Sequence, residues 1–315
     1  MSLRASRWPD EKGAWNLRTL TALTGCALLW AGVGAAGAVT HDREFWLALR
    51  VAEYRLPAAA PVLPLALEAA SLLGSTDPGL RDGVAYEALA EWVYANQRLD
   101  AGERAELLAV MTANARRGLG EPEGDGLFLR SFSALALSLF AAADFKRPTL
   151  DPAQFDSQVD LGTLLLAGER DLRGYVAGKG WGHATAHTAD LLKFLGRNPR
   201  LKRLQQQRMV VAIRGRLRSA GQVFAWGEDA RLAAALASLA RRADVDPAPF
   251  SEWFGSIVAE HVAVWTGELQ PARYVAERAE LNALAHLATE LDADTVSAGT
   301  QAIRGGLRAM RAATR

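Results

Sequence analysis

Gly126-Leu127-Phe128-Leu129-Arg130-Ser131-Phe132-Ser133-Ala134-Leu135-Ala136-Leu137-Ser138-Leu139-Phe140-Ala141-Ala142-Ala143 is the stretch that decides the fold. Leu, Ala and Phe dominate it, proline is absent, and its one glycine stands at the start, so it reads as helix. Apart from Arg130 and a few serines it is apolar on all sides. A helix of that kind must be covered all round, and therefore belongs at the centre of a packed body. Phe132, Leu135, Leu139 and Phe140 are expected to be nearly fully buried.

Outward from this segment, apolar residues recur at helical spacing almost everywhere after Asp42. The spacing predicts helices over 41–54, 59–73, 78–96, 101–117, 126–143, 156–172, 182–196, 202–219, 228–242, 248–266, 272–289 and 292–312. The breaks carry turn chemistry: Ser75-Thr76-Asp77-Pro78, Gly118 to Gly126, Arg147-Pro148, Asn198-Pro199 and Asp246-Pro247. Asp77 and Asp246 each precede a proline that opens a helix, an N-cap followed by the residue that tolerates the first helical position. Strand-like runs of Val, Ile and Thr are nearly absent. The connections are short, so successive helices should be antiparallel neighbours. The expected fold is all-α. About a dozen antiparallel helices stack as helical hairpins, in a HEAT-like α-solenoid or an α/α toroid. No exact repeat is visible, and the central apolar helix favours one compact or curled domain over 39–315.

The 315 residues are half hydrophobic, ample for a large core, and carry 36 basic against 35 acidic side chains. That balance gives no basic stripe, so nucleic acid is not an expected partner. The first 38 residues are set apart. Arg4, Arg7, Lys12 and Arg18 form a basic region diluted by Asp10 and Glu11, and no charge follows from Thr19 to Thr40. Ala36-Gly37-Ala38 offers a small-x-small cleavage signal, so residues 1–38 read as a signal peptide, with a periplasmic or secreted destination. The run is also just long enough for an uncleaved membrane anchor facing the periplasm. Leu23-Thr24-Gly25-Cys26 resembles a bacterial lipobox, although the residues after Cys26 stay apolar. Contact with a membrane is expected only through this segment. Cys26 is the single cysteine, so a cleaved chain has neither disulfide nor thiolate, and its formal charge becomes −1, with 32 basic and 33 acidic groups.

The strongest local feature runs from Arg173 to Asp190, Arg-Gly-Tyr-Val-Ala-Gly-Lys-Gly-Trp-Gly-His-Ala-Thr-Ala-His-Thr-Ala-Asp. A glycine-rich loop leads into a helix on which His183, His187 and Asp190 share one stripe. Ala184, Thr188, Leu191 and Leu195 form the neighbouring stripe, and Lys193 is expected on the opposite side. Two histidines at this spacing can share a divalent metal ion. No Glu follows the first His, and Asp190 is about 10 Å from His183 along the axis, so a third ligand has to come from another helix. The other readings are an acid–base pair and a buried hydrogen-bond network in which Asp190 fixes the tautomer of His187. The loop is one residue short of a Walker motif, has Gly where Ser or Thr should hold magnesium, and follows no strand. A nucleotide fold is therefore rejected, although an anion could dock at the helix start beside Lys179.

Three other places put charge where packing predicts none: Arg81 and Asp82 on the face of Tyr86, Leu89, Trp92 and Val93; Arg130 in the central helix; and Glu228, Asp229 and Arg231 after Phe224-Ala225-Trp226-Gly227. Buried charges need partners. Arg81, Asp82, Arg130, Arg173, Lys179, His183, His187, Asp190, Glu228 and Arg231 are thus candidates for one polar cavity. The plain alternative for Glu228 and Asp229 is a pair of acids favoured by the helix dipole.

Leu80-Arg81-Asp82, Arg130-Ser131-Phe132-Ser133, Arg173-Gly174-Tyr175-Val176, Lys179-Gly180-Trp181-x-His183, Ala186-His187 and Glu228-Asp229-x-Arg231 together resemble the bacterial family known as domain of unknown function 2785, over roughly residues 75–290. Relatives are often shorter and cytoplasmic, so the export segment is a departure. The resemblance implies no activity, substrate or catalytic residue; it implies that the quoted polar residues form one set. Two functions follow as expectations. One is a scaffold that presents a polar groove to a small-molecule or peptide ligand. The other is a hydrolase-like enzyme using His183 and His187, with or without a metal.

Overall fold

The computed structural model describes residues 40–266, 268–292 and 297–314. Cys26, the apolar leader and the cleavage position after Ala38 lie outside the described residues. Among those described, twelve helices form: α1 (Arg43–Val51), α2 (Leu63–Leu72), α3 (78–95), α4 (Ala101–Arg116), α5 (Gly126–Lys146), α6 (Pro152–Gly168), α7 (Ala184–Arg197), α8 (Arg203–Ser219), α9 (Glu228–Ala240), α10 (Ala248–Trp265), α11 (Pro271–Asp292) and α12 (Ala298–Ala313). Each predicted helix is present. One short antiparallel hairpin interrupts them, β1 (Tyr175–Val176) and β2 (Gly180–Trp181).

Local chemistry explains the helix starts. Asp77 accepts from the Gly79 amide with Pro78 at the first helical position. Asp100 with Glu103, and Asp151 with Gln154, form reciprocal capping boxes. The second box moves the start of α6 back to Pro152, ahead of the predicted 156. At its other end α6 stops at Gly168, and Glu169 to Leu172 lie outside the helix. Helix α3 departs from regular α geometry through two π-helical segments, Arg81–Tyr86 and Ala90–Ala95.

The packing alternates. Helices α2, α4, α6, α8, α10 and α12 contact one another in succession, and α1, α3, α5, α7, α9 and α11 do the same. Each short link carries the chain from one row to the other. This two-row arrangement is the stack of antiparallel hairpins expected from the short connections. Helix α5 lies between α3, α4 and α7. It is long and apolar enough to span a membrane, yet it is enclosed by protein. Phe132, Leu135, Leu139 and Phe140 are all buried, as the all-round apolar pattern requires.

Candidate functional site

The central row brings the polar motifs together. The hairpin β1–β2 turns through Gly178 and Gly180, both at positive φ, where glycine carries no Cβ penalty. The chain then doubles back: the Gly182 amide donates to the Gly174 carbonyl at 2.7 Å, and the His183 amide to the Arg173 carbonyl at 3.1 Å. His183 caps α7 in the left-handed conformation, φ 53° and ψ 30°. That region is uncommon for any residue but glycine, and strain of this kind gathers at functional sites.

His183 and His187 both face inward, one turn apart. Their rings meet edge to face at 5.8 Å. His187 Nδ1 lies 2.8 Å from Ser131 Oγ. That hydroxyl donates to the Gly182 carbonyl, so it accepts from His187 Nδ1–H. Ser131, not Asp190, therefore sets the His187 tautomer. His183 Nε2 is buried without a protein partner and sits 3.8 Å from Glu228 Oε1. Glu228 Oε2 accepts from the Trp226 amide at 3.0 Å.

Burial and the nearby Arg231 guanidinium push His183 down to about 4. His187 is held well below its ordinary value by burial, then by His183, Arg231 and Arg81. Burial pushes Glu228 up. At neutral pH both imidazoles are uncharged. Burial raises Tyr86, on the adjoining face of α3, with the Asp190 carboxylate adding to the effect.

The remaining candidates divide. Arg231 forms an ion pair with Asp190. Lys193 also reaches Asp190, at 3.3 Å, which corrects its expected place on the far side of the helix; its flexible stem folds back over one turn. Arg81 is fully buried, stacked on Phe128 and Phe132, and donates to the Ser75 and Lys179 carbonyls. Its Nε lies 2.7 Å from Asp82, whose carboxyl group burial pushes up to about 6. Arg130 turns to a residue not anticipated, Glu169, which it holds through two hydrogen bonds of 2.7 and 3.0 Å. Arg173 is held in the same way by Asp171, and Lys179 pairs with Asp125. His183, His187, Asp190, Glu228 and Arg231, with Arg81 behind them, thus form one cluster. Arg130, Arg173 and Lys179 brace its walls through other partners. A divalent ion on His183 and His187 would lack a third side-chain ligand. Among the described residues no three His, Cys, Asp or Glu groups gather in ligating geometry.

Sequence reasoning also missed the rim. Tyr175, Trp181 and Trp226 form one aromatic group, with ring centroids 5.2 to 6.0 Å apart. All three are exposed, at 48%, 36% and 53%, although large aromatics normally bury. Trp181 stacks on His183 at 4.3 Å. Gly174 lets Trp226 lie flat on the backbone: a Cβ there would stand 2.3 Å from the indole. Two surface depressions, of about 410 and 300 Å³, lie elsewhere, along α11 and α12 and beside His286.

The sequence profile of a family described as "Protein of unknown function (DUF2785)" matches residues 116–287, more than half of the chain. The chain belongs to that family. The matched segment of this DUF2785 member contains the hairpin, both histidines, Glu228 and Arg231. It begins after Arg81 and Asp82, so it is shorter than the resemblance at 75–290 suggests. No curated protein and no solved structure matches the chain.

Proposed function

We propose that the chain is a binding protein whose small-molecule ligand docks against His183 and Glu228 beside the aromatic rim. One observation carries this reading: a buried imidazole nitrogen with no protein partner, on a residue held in a strained backbone conformation. Leaving such an atom unsatisfied costs about 1–3 kcal/mol, and a native chain that keeps it needs a reason. The test is a thermal-shift screen of small molecules on the wild type and on His183→Asn. Stabilising compounds should lose their effect in the variant. Equal shifts in both proteins would contradict the site.

A second reading, hydrolase-like acid–base chemistry, draws on the same pair. A neutral His183 can accept a proton, and a carboxyl group raised by burial can donate one. Hydrolysis of an ester or glycoside substrate that Glu228→Gln abolishes would favour it over simple binding. Export belongs to this proposal too, with the protein working in the periplasm or beyond the cell. Expressed in a Gram-negative host, the chain should begin at Val39 after processing, whereas intact Met1 protein in the cytosol would overturn export. Loss of membrane retention in Cys26→Ala would identify the lipidated form.

A further inference from the structure

We propose that the depression between α11 and α12 is a binding site for a phosphate group, held by Arg304, Arg308 and Arg311. It shares no side chain with the His183 cluster and does not rest on the reading given for that cluster. Its lining runs from Ala288 to Arg311, beyond the family match that ends at 287.

The charge pattern starts in the sequence. The chain as a whole is balanced, with 36 basic and 35 acidic side chains, yet no Asp or Glu follows Asp294. Helix α12 carries three arginines and no acid. Arg304, Arg308 and Arg311 stand at i, i+4 and i+7, so the helical period puts all three on one face. The fold lays that face beside the C-terminal end of α11, and all three line one open depression of about 410 Å³. Buried Leu307 and half-buried Ala288 give it an apolar floor along which arginine stems can lie. Like charges one turn apart repel, and a concave wall focuses their field into the space between the helices.

The one carboxylate in the lining, Asp292, answers only one of the three. Arg304 donates to the Asp292 carbonyl at 3.0 Å and stands 3.8 Å from its carboxylate, which also offsets the negative end of α11. Arg308 and Arg311 are exposed and make no hydrogen bond or ion pair among the described residues. The lining therefore keeps two uncompensated positive charges. A guanidinium fork matches two phosphate oxygens at once, and a phosphate monoester carries about −1.5 to −2 at neutral pH, which meets that pair. A carboxylate brings a single charge and leaves the second arginine unanswered. A cation is repelled. The second depression, about 300 Å³, shares Thr289 with the first and is otherwise lined by Ala230, His286 and Glu290, with no arginine. The organic part of an ester has room there, while its phosphate belongs at the α12 end.

The test is calorimetry on the full chain with inorganic phosphate and glycerol phosphate, beside sedimentation with phosphatidylcholine vesicles that contain or lack phosphatidic acid. Acetate at matched ionic strength is the single-charge control. A phosphate probe should bind saturably, and less tightly as salt is added. Combining Arg308→Gln with Arg311→Gln should weaken it at least about tenfold, with the circular dichroism spectrum and melting curve unchanged. Arg273→Gln, at an exposed position in the opposite end of α11, should leave it unchanged. If only the phosphatidic acid vesicles respond to the double variant, the phosphate site stands and its source is a lipid headgroup; the N-terminal segment is the same in both proteins and cancels. Binding that is absent for every phosphate probe, or that ignores the double variant, overturns the proposal. So does acetate binding as tightly as phosphate, or an equal loss in Arg273→Gln.

Discussion

Replacing His183 by asparagine should remove a defined part of the protein's acid sensitivity. The imidazole has an ordinary pKa of 6.5 and is pushed down to about 4 in the fold, first by burial and then by Arg231. Below 6.5 the unfolded chain takes up a proton that the folded chain refuses. The unfolded state then binds more protons, so stability falls as pH drops. The contribution is complete above 6.5, declines from there to about 4, and is flat below. A displacement of that size corresponds to about 3 kcal/mol. Asparagine suits the experiment because it tolerates the left-handed backbone that position 183 adopts. Urea denaturation measured at steps from neutral pH down to about 4 gives the slope. The wild type should lose about 3 kcal/mol more than His183→Asn over that window. His187 is depressed too and stays in both proteins, so the variant keeps a residual slope of the same sign. The carboxyl groups raised by burial, Glu228 and Asp82, act in the opposite sense in both and cancel in the comparison. Parallel stability curves for the two proteins would refute a neutral, buried His183.

Other changes test the frame around the site. Leu139→Ala, in the enclosed helix α5, should cost roughly 2–5 kcal/mol in urea denaturation. Arg130→Ala strands Glu169 in the interior and should cost about 3–5 kcal/mol, with a double-mutant cycle against Glu169→Ala recovering much of that loss. Gly174→Ala forces the Trp226 ring off the backbone, so tryptophan emission should shift while the helical circular dichroism signal stays constant.

The helices were legible because burial imposes its period on the chain: α5, apolar on every face, announces that it is enclosed, and the short proline- and glycine-marked links announce the antiparallel stack. The errors have local causes. The hairpin at Tyr175–Trp181 is two residues per strand, too short for any alternation to show, and its glycines read as loop. Apolar period alone starts helix α6 late, because it does not mark the Asp151-Pro152 cap, and it runs the end on through Glu169 and Asp171, which in sequence look like solvated acids. Only the tertiary fold reveals that those two carboxylates hold Arg130 and Arg173. The shared stripe of His183, His187 and Asp190 was visible from helical spacing, as was the unusual charge at Arg81 and Glu228. The hydrogen bonds were not: a serine on α5 sets the His187 tautomer, and it lies far from that histidine in the chain. Trp46, Trp92 and Trp253 are core, whereas Trp181 and Trp226 form the rim, a difference that depends on a hairpin and a glycine contact rather than on period.

The central claim is that His183 is buried and neutral beside Glu228, with its Nε2 unpartnered, at neutral pH. Long-range nitrogen–proton NMR of protein labelled in its histidine side chains reads this directly, with His183→Asn assigning the signal. The account predicts a His183 ring that remains neutral until the pH approaches about 4. An imidazolium just below neutrality would contradict it.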